Sequence, residues 1–221
     1  MRVHGGPLRL SSMRPYRLGA GRCRARRPVR SIADMKTRLS ARPDRRIQRT
    51  RKALVDAFNG LFFERRYDHI KVADIVERAD VGRSTFYEHF ADKEAILTES
   101  IQRPFAVLAT AADAVCDVAG LGRVLEHIWQ NQRQAQLIFD GAARRPVARI
   151  LATMIEKRLL ARPEGKRAPV PPRLVAVALA NAQLAAITAW LTGEATCTAA
   201  TLAGSLRAMT EGALIAVWAS G

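Results

Sequence analysis

The stretch that decides the fold is Tyr67-Asp68-His69-Ile70-Lys71-Val72-Ala73-Asp74-Ile75-Val76-Glu77-Arg78-Ala79-Asp80-Val81-Gly82-Arg83-Ser84-Thr85-Phe86-Tyr87-Glu88-His89-Phe90-Ala91-Asp92-Lys93-Glu94. Val72, Ile75, Val76 and Ala79 recur at i, i+3, i+4 and i+7, one face of a short helix. Asp80-Val81-Gly82 interrupts it, and a further short helix runs from Arg83 to about Phe90. The turn needs a residue that tolerates left-handed backbone, which Asp80 does better than most side chains. Ile75, Val76, Ala79, Val81, Phe86 and Phe90 form an apolar set able to hold two short helices at a fixed angle. Two such helices joined by a tight turn make a helix-turn-helix. The second helix then offers Arg83, Ser84, Thr85, Tyr87 and His89 on its open face, with Glu88 the only acid there. These groups suit phosphate oxygens and base edges.

Outward from this centre the helical period dominates. Upstream, Ile47, Leu54, Phe58, Leu61 and Phe62 lie on one face of a helix for which Asp44 reads as the N-cap. Its other face carries Arg45, Arg46, Arg49 and Lys52. Downstream, Asp92 reads as the N-cap of a fourth helix through Lys93, Ile96, Leu97 and Ile101. Lys93 in its first turn, beside unpaired backbone amides, makes a phosphate site. Further helices are expected over residues 121–134 and 135–140, with Gly120-Leu121-Gly122 as a boundary. Pro146 opens another, and residues 162–172 are a loop punctuated by prolines. Two long Ala- and Leu-rich helices over 173–191 and 199–219 follow, separated by Thr192-Gly193-Glu194. No alternating run reads as a strand, so the fold class is all-α.

The segment 67–94 resembles the TetR family of transcriptional regulators. The resemblance rests on Tyr67 after the first helix, Val72 to Ile75, the turn Ala79-Asp80-Val81, the run Thr85-Phe86-Tyr87-Glu88-His89-Phe90, and Asp92-Lys93-Glu94. It covers about residues 45–100. Asp80 stands where the family has a turn glycine, Arg66 where it has a glycine before the aromatic, and Lys71 where it has a threonine. The resemblance implies a TetR-like fold: a three-helix helix-turn-helix head on a helical-bundle body, dimeric through the last two helices. It implies that Thr85 and Tyr87 contact phosphates, that Arg83, Ser84 and His89 read bases, and that Lys93 anchors the backbone. Lys71 reaches a phosphate in place of the missing hydroxyl. His89 reads equally well as a structural residue.

The division expected is a basic tail over residues 1–43, a DNA-binding head over 44–103, and a ligand-binding and dimerisation body over 104–221. The formal charge of +16 is uneven. Residues 1–43 hold twelve basic residues against one acid, whereas 44–103 hold twelve against eleven and 104–221 twelve against eight. Charge alone therefore says little about the head. The tail lacks the continuous apolar run of a secretory signal and reads as disordered. Three readings of the tail compete: a basic arm that adds phosphate contacts, an Arg-rich organelle transit peptide, and, favoured, upstream sequence over residues 1–34 ahead of a start at Met35. Cys23, Cys116 and Cys197 have no disulfide or metal spacing and read as reduced thiols of a cytoplasmic protein.

His127, Trp129, Phe139, Asn181 and Gln183, with Gln130 and Trp190 beside them, are candidate lining of a ligand pocket, each also readable as core or interface. The uncharged segment 174–191 reaches the length that spans a membrane, but mid-span Asn181 and Gln183 and its alanines point to a helix packed in a dimer. The partners expected are double-stranded DNA, a second copy of the chain and a small-molecule effector, with no membrane, cofactor or metal. No phosphate loop, nucleophile elbow or paired carboxylates support an enzyme. A basic protein that binds nucleic acid non-specifically through its tail is the competing reading.

Overall fold

The computed structural model describes residues 32–163 and 169–219, and side chains from residue 45 to residue 218 within them. Among the described residues every regular element is helical. The helices are α1 (Ile32–Glu64), α2 (Val72–Arg78), α3 (Arg83–His89), α4 (Lys93–Ala109), α5 (Val118–Gln130), α6 (Gln132–Phe139), α7 (Arg144–Ala161), α8 (Pro172–Thr192) and α9 (Ala199–Ala219). Single 3-10 turns at Tyr67–His69 and Thr110–Ala112 precede α2 and follow α4. Two compact units are separated at Pro43 and Asp44. Of the disordered tail expected over 1–43, residues 1–31 lie outside the described part, whereas the backbone of 32–43 is helical and corrects that expectation; the start expected at Met35 is not tested.

The head forms because short helices share one core. α1 buries Leu54, Ala57, Phe58, Leu61 and Phe62, the stripe that a 3.6-residue period produces. Two expectations fail here. Helical backbone begins at Ile32, so Asp44 is an interior position and not the cap; the residues before it (Met35, Lys36, Arg38, Leu39, Ala41) are good helix formers. Ile47, placed on the buried face by periodicity, is 52 % exposed, because the buried stripe of α1 begins at Leu54, about two turns later.

The turn between α2 and α3 closes through backbone bonds that require a left-handed residue. Asp80 has φ 52°. Its N–H donates to the Glu77 carbonyl (3.2 Å), and the Val81 N–H reaches back to the Val76 carbonyl (3.1 Å). This pair is the Schellman closure, usually built on glycine. Val81 then packs with Val76 against the core. Opposite, Gly60 lets the Arg78 guanidinium lie on α1, where a Cβ would sit 3.2 Å from it. Arg78 thereby forks onto both carboxylate oxygens of Glu64 (2.9 and 2.6 Å) and joins α2 to α1.

α4 runs through the head–body boundary expected at residue 103, and residues 44–221 form one compact unit across it. Its first half buries Ile96, Leu97 and Ile101, and its second half Phe105 and Leu108. Asp92 is its cap as expected, accepting from the Ala95 N–H (2.8 Å). The carbonyls at its far end and in the 3-10 turn that follows are met by three arginines, two at the end of α7 and one on α9. Arg158 donates to Ala106 (2.9 Å), Arg162 to Ala112 (3.0 Å), and Arg207 to Ala111 and Asp113 (2.9 and 2.7 Å).

In the body, α8 packs mainly on α7, and α9 on α5. The helix break expected at residue 134 lies instead at Asn131, and Gly120-Leu121-Gly122 lies inside α5, which Asp117 caps by accepting from the Gly120 N–H (2.8 Å). Pro146 falls in the first turn of α7. α8 is long and apolar enough to cross a membrane, with mean hydropathy 1.8 over its most apolar window, half of which is buried. That buried half packs against α6 and α7.

Asp80 has no side-chain partner among the described residues, so its left-handed backbone is an uncompensated cost. Asp80→Gly should stabilise the protein by about 0.5–1 kcal/mol, and Asp80→Val should destabilise it by more than about 1 kcal/mol. Thermal denaturation checks this through opposite shifts in Tm of a few degrees.

Candidate nucleic-acid interface

α3 starts after Gly82, an extended residue without a side-chain cap, and ends where the Phe90 N–H donates to the Phe86 carbonyl (2.8 Å). Phe86 and Phe90 are buried. Helical geometry then turns Arg83, Ser84, Tyr87 and Glu88 to solvent, with Thr85 and His89 half-buried. Tyr87 is 50 % exposed, its ring edge-on to Phe86 with centroids 5.4 Å apart. One turn earlier, the Arg83 guanidinium lies 5.9 Å from the Tyr87 ring. The buried Phe86 thus backs Tyr87, and Tyr87 backs Arg83, so two candidate contact groups are presented together. Arg83 opens a helix whose first turn carries no acid. A cation there opposes the helix dipole, which is unfavourable unless an external anion meets it.

Lys71 is exposed at the start of α2. Its N–H donates to the Asp74 carboxylate (2.7 Å), the half of a capping box that the third helical residue supplies; the half that a hydroxyl at 71 would have supplied is acceptance from the Asp74 N–H. The Lys71 ammonium has no acceptor lone pair and cannot return that bond.

Lys93 differs from the expectation. Its ammonium donates to the carbonyls of Tyr67 (2.8 Å) and Ile70 (2.9 Å) and lies 4.2 Å from the Tyr67 ring centroid. It is turned inward, where it ties the 3-10 turn and the entry to α2 onto α4. Burial lowers the Lys93 pKa. Burial likewise pushes the Tyr67 phenol up to about 12, with the charges of Glu94 and Asp92 adding to it.

Sequence reasoning missed Arg51. Its guanidinium donates to the His89 carbonyl at the end of α3 (2.9 Å), pairs with Glu99 of α4 (3.1 Å), and covers the Phe90 ring at 4.4 Å. A cation at the C-terminal carbonyls of a helix is favourable. Its partners lie 38 and 48 residues away, so no local pattern singles it out among the basic residues of α1.

The candidate pocket residues are not brought together around one cavity. His127 is exposed beside a cleft of about 500 Å3 between α4 and α5. Trp129 is partly exposed against Trp190 (4.8 Å), whose indole N–H donates to the Cys197 carbonyl (2.9 Å). Phe139 is buried and stacked on Phe105 (5.9 Å). Asn181 is exposed, and Gln183 is buried, its amide donating to Thr210 (3.4 Å). Gln130 is exposed, with its amide on Glu126. Among the described residues no cluster of His, Cys, Asp or Glu is arranged to hold a metal ion, and Cys116 and Cys197 are free thiols.

Two short helices at a Schellman turn, packed on a third and presenting an uncapped basic helix, define a helix-turn-helix protein. Residues 54–99 match the family model of bacterial regulatory proteins, tetR family. Over this segment the chain is similar to that family. Over 64 residues it is 44% identical to an uncharacterized HTH-type transcriptional regulator, YxbF, of Bacillus subtilis (strain 168), covering 28% of this chain and 17% of that protein. Over 59 residues it is 36% identical to the HTH-type dhaKLM operon transcriptional activator DhaS of Lactococcus lactis subsp. lactis (strain IL1403), covering 27% of this chain and 32% of that protein. These matches thus span less than a third of either relative. The crystal structure of a TetR transcriptional regulator from Streptococcus agalactiae 2603V superposes with a TM-score of 0.53 at 27% identity, covering 77% of this chain and 98% of that one.

The raised Tyr67 pKa sets the sign of an alkaline effect. The folded state keeps a proton that the unfolded state, at 10.0, gives up. Stability from this group is therefore full below pH 10.0 and is lost as pH rises through about 12. The lowered pKa of Lys93 acts in the opposite sense, since the unfolded state holds that proton longer. Tyr67→Phe should abolish a phenolate absorbance step near pH 12 and make unfolding less steep above pH 10.0. A late step that persists in the variant would refute the assignment.

Proposed function

We propose that the protein is a dimeric, sequence-specific transcriptional regulator that binds an inverted-repeat operator through α3, represses by occupying it, and is released by a small ligand bound in the body. The observation that carries DNA recognition is the arrangement of α3: Phe86 buried, and Arg83, Ser84 and Tyr87 held outward on a helix too short to vary its orientation. In this reading Arg83 and Ser84 read base edges, with His89 at the far end, while Thr85 and Tyr87 meet phosphates and Lys71 reaches a flanking phosphate. Lys93 and Arg51 position the head. The activator DhaS carries a similar head, so the head is compatible with either sign of regulation. Repression follows here from simple occupancy of the operator.

Dimerisation is supported by faces of small and apolar residues left open on the last two helices, with Glu211, paired to Arg207, the charged residue on the α9 face. On α8 the exposed residues Leu174, Val177, Ala178, Asn181, Ala182 and Ala185 follow the helical period. On α9 Met209 and Ile215 are 53 % and 61 % exposed, with Ala208 and Gly212 beside them. Faces of small and apolar residues on two long helices suit a four-helix bundle between two copies. Asn181 then belongs to an interface and not to a pocket. A two-fold dimer presents its α3 helices to successive major-groove faces about 34–36 Å apart, which makes the operator an inverted repeat. The localisation that fits these partners is the cytoplasm.

The test is selection from random double-stranded DNA by the full chain. Enrichment of an inverted repeat is expected. Arg83→Ala and Tyr87→Ala should each weaken binding to it by about 1–3 kcal/mol, with Arg83→Ala also relaxing base preference at one position of each half-site. Enrichment of no sequence, with binding that vanishes at high salt, would favour non-specific binding through the basic residues of 1–43.

For the interface, Met209→Arg combined with Ile215→Arg should convert dimer to monomer in sedimentation equilibrium. It should lower operator affinity by more than about tenfold, because one half-site remains per binding unit. A monomeric wild type would remove the dimer from the proposal.

A further inference from the structure

α3 carries one acid on its outward face, and its place along the helix is electrostatically adverse. Glu88 is exposed and is the sixth of the seven residues Arg83–His89. The carbonyl end of a helix disfavours an anion, as its amide end disfavours the cation Arg83. Three other glutamates of the same region are met: Glu64 pairs with Arg78, Glu94 with Arg149 and Glu99 with Arg51, each on another helix. Glu88 has no ion-pair or hydrogen-bond partner among the described residues. The fold therefore leaves this charge without internal compensation.

Its direction is set by the two buried rings. Glu88 lies midway in sequence between Phe86 and Phe90, both buried. At about 100° per residue it points about 180° from the midpoint of those rings, straight away from the core. Ser84, exposed one turn earlier, lies about 40° to one side on the same ridge. A helix that docks in a groove with its buried face behind it presents such a residue to the groove floor and not to the flanking phosphates. Phosphates would repel the carboxylate, whereas the floor of the major groove offers it hydrogen-bond donors.

An ionised carboxylate only accepts hydrogen bonds. Base edges in the major groove offer two kinds of donor, the cytosine N4 amino group and the adenine N6 amino group. Adenine places the acceptor N7 beside its amino group, which opposes the second carboxylate oxygen, whereas cytosine has a C–H at that place. Guanine and thymine present acceptors alone, with the thymine methyl group. We propose that Glu88 is a specificity-determining residue that accepts a hydrogen bond from the N4 amino group of one cytosine in each half-site and disfavours every other base there. This rests on the reading of α3 as a recognition helix and names the base that it requires.

The experiment is selection from random double-stranded DNA by the full chain as wild type, Glu88→Gln and Glu88→Ala, each confirmed as folded by circular dichroism. Wild type should fix cytosine at one position of each half-site. Glu88→Gln should move that position to adenine, whose N6 and N7 suit an amide, and Glu88→Ala should lose preference there and at no other position. Equilibrium binding to the selected repeat then isolates the bond. Replacing that cytosine by 2-pyrimidinone, which lacks the amino group, should weaken wild type at least about fivefold more than Glu88→Ala. The replacement loosens the base pair for both proteins alike, so their ratio reads the contact alone. Base preferences identical in all three proteins overturn the proposal. A Glu88→Ala protein that binds every sequence more tightly by one common factor also overturns it, because the carboxylate then only repels phosphate. Equal losses on 2-pyrimidinone do the same. If wild type enriches no sequence, the regulator reading fails and Glu88 loses its role with it; if it enriches a repeat that the variants share unchanged, Glu88 alone is refuted.

Discussion

A helix of seven residues cannot persist alone in water, and α3 has seven. What its surface presents depends on the burial of Phe86 and Phe90 in the core that α1, α2 and α4 share. Burying a phenylalanine contributes about 1.5–3 kcal/mol, and the two rings anchor this helix to the core it shares with its neighbours. Every neighbour of Phe86 on the helix then has a determined direction. Arg51 completes the constraint from outside by covering Phe90 and pairing with the last carbonyl of α3.

The same logic governs the joint between head and body. α4 contributes to both cores, and its two ends are held by different chemistry. At the start, Asp92 caps the helix and the Lys93 ammonium gathers two carbonyls from the approach to α2. At the end, three guanidiniums collect carbonyls that helix geometry leaves unpaired. Between these clamps lies Pro104, where the ladder is missing a bond. Arg207 adds a further link, since it sits on α9, which also carries Met209 and Ile215.

Much of the head was legible in the amino-acid sequence because its determinants are local. The i, i+3, i+4 pattern from Val72 to Ala79 defined α2, Asp80 was recognised as the left-handed turn residue, and Asp92 as a cap, each within a few residues of its partner. The outward set on α3 followed from placing Phe86 and Phe90 inside. Errors arose where a local pattern outran its tertiary setting. Ile47 continues the apolar stripe of α1 beyond the core that would cover it, and Asp44 resembles a cap within backbone that is already helical.

Sequence by itself thus determined the helical period, the turn and the outward direction of Arg83, Ser84 and Tyr87, because these follow from backbone geometry over one or two turns. Tertiary structure alone decided that Lys93 points inward, that Arg51, Arg158, Arg162 and Arg207 act as clamps, and that Phe139, Asn181 and Gln183 occupy three different environments. It alone placed Arg103 and Arg123 across one cleft. The physical reason is the reach of the interactions. A lysine or arginine selects its acceptors by three-dimensional proximity, among carbonyls that every residue supplies alike, and nothing in the residue's own neighbourhood specifies which ones it will meet.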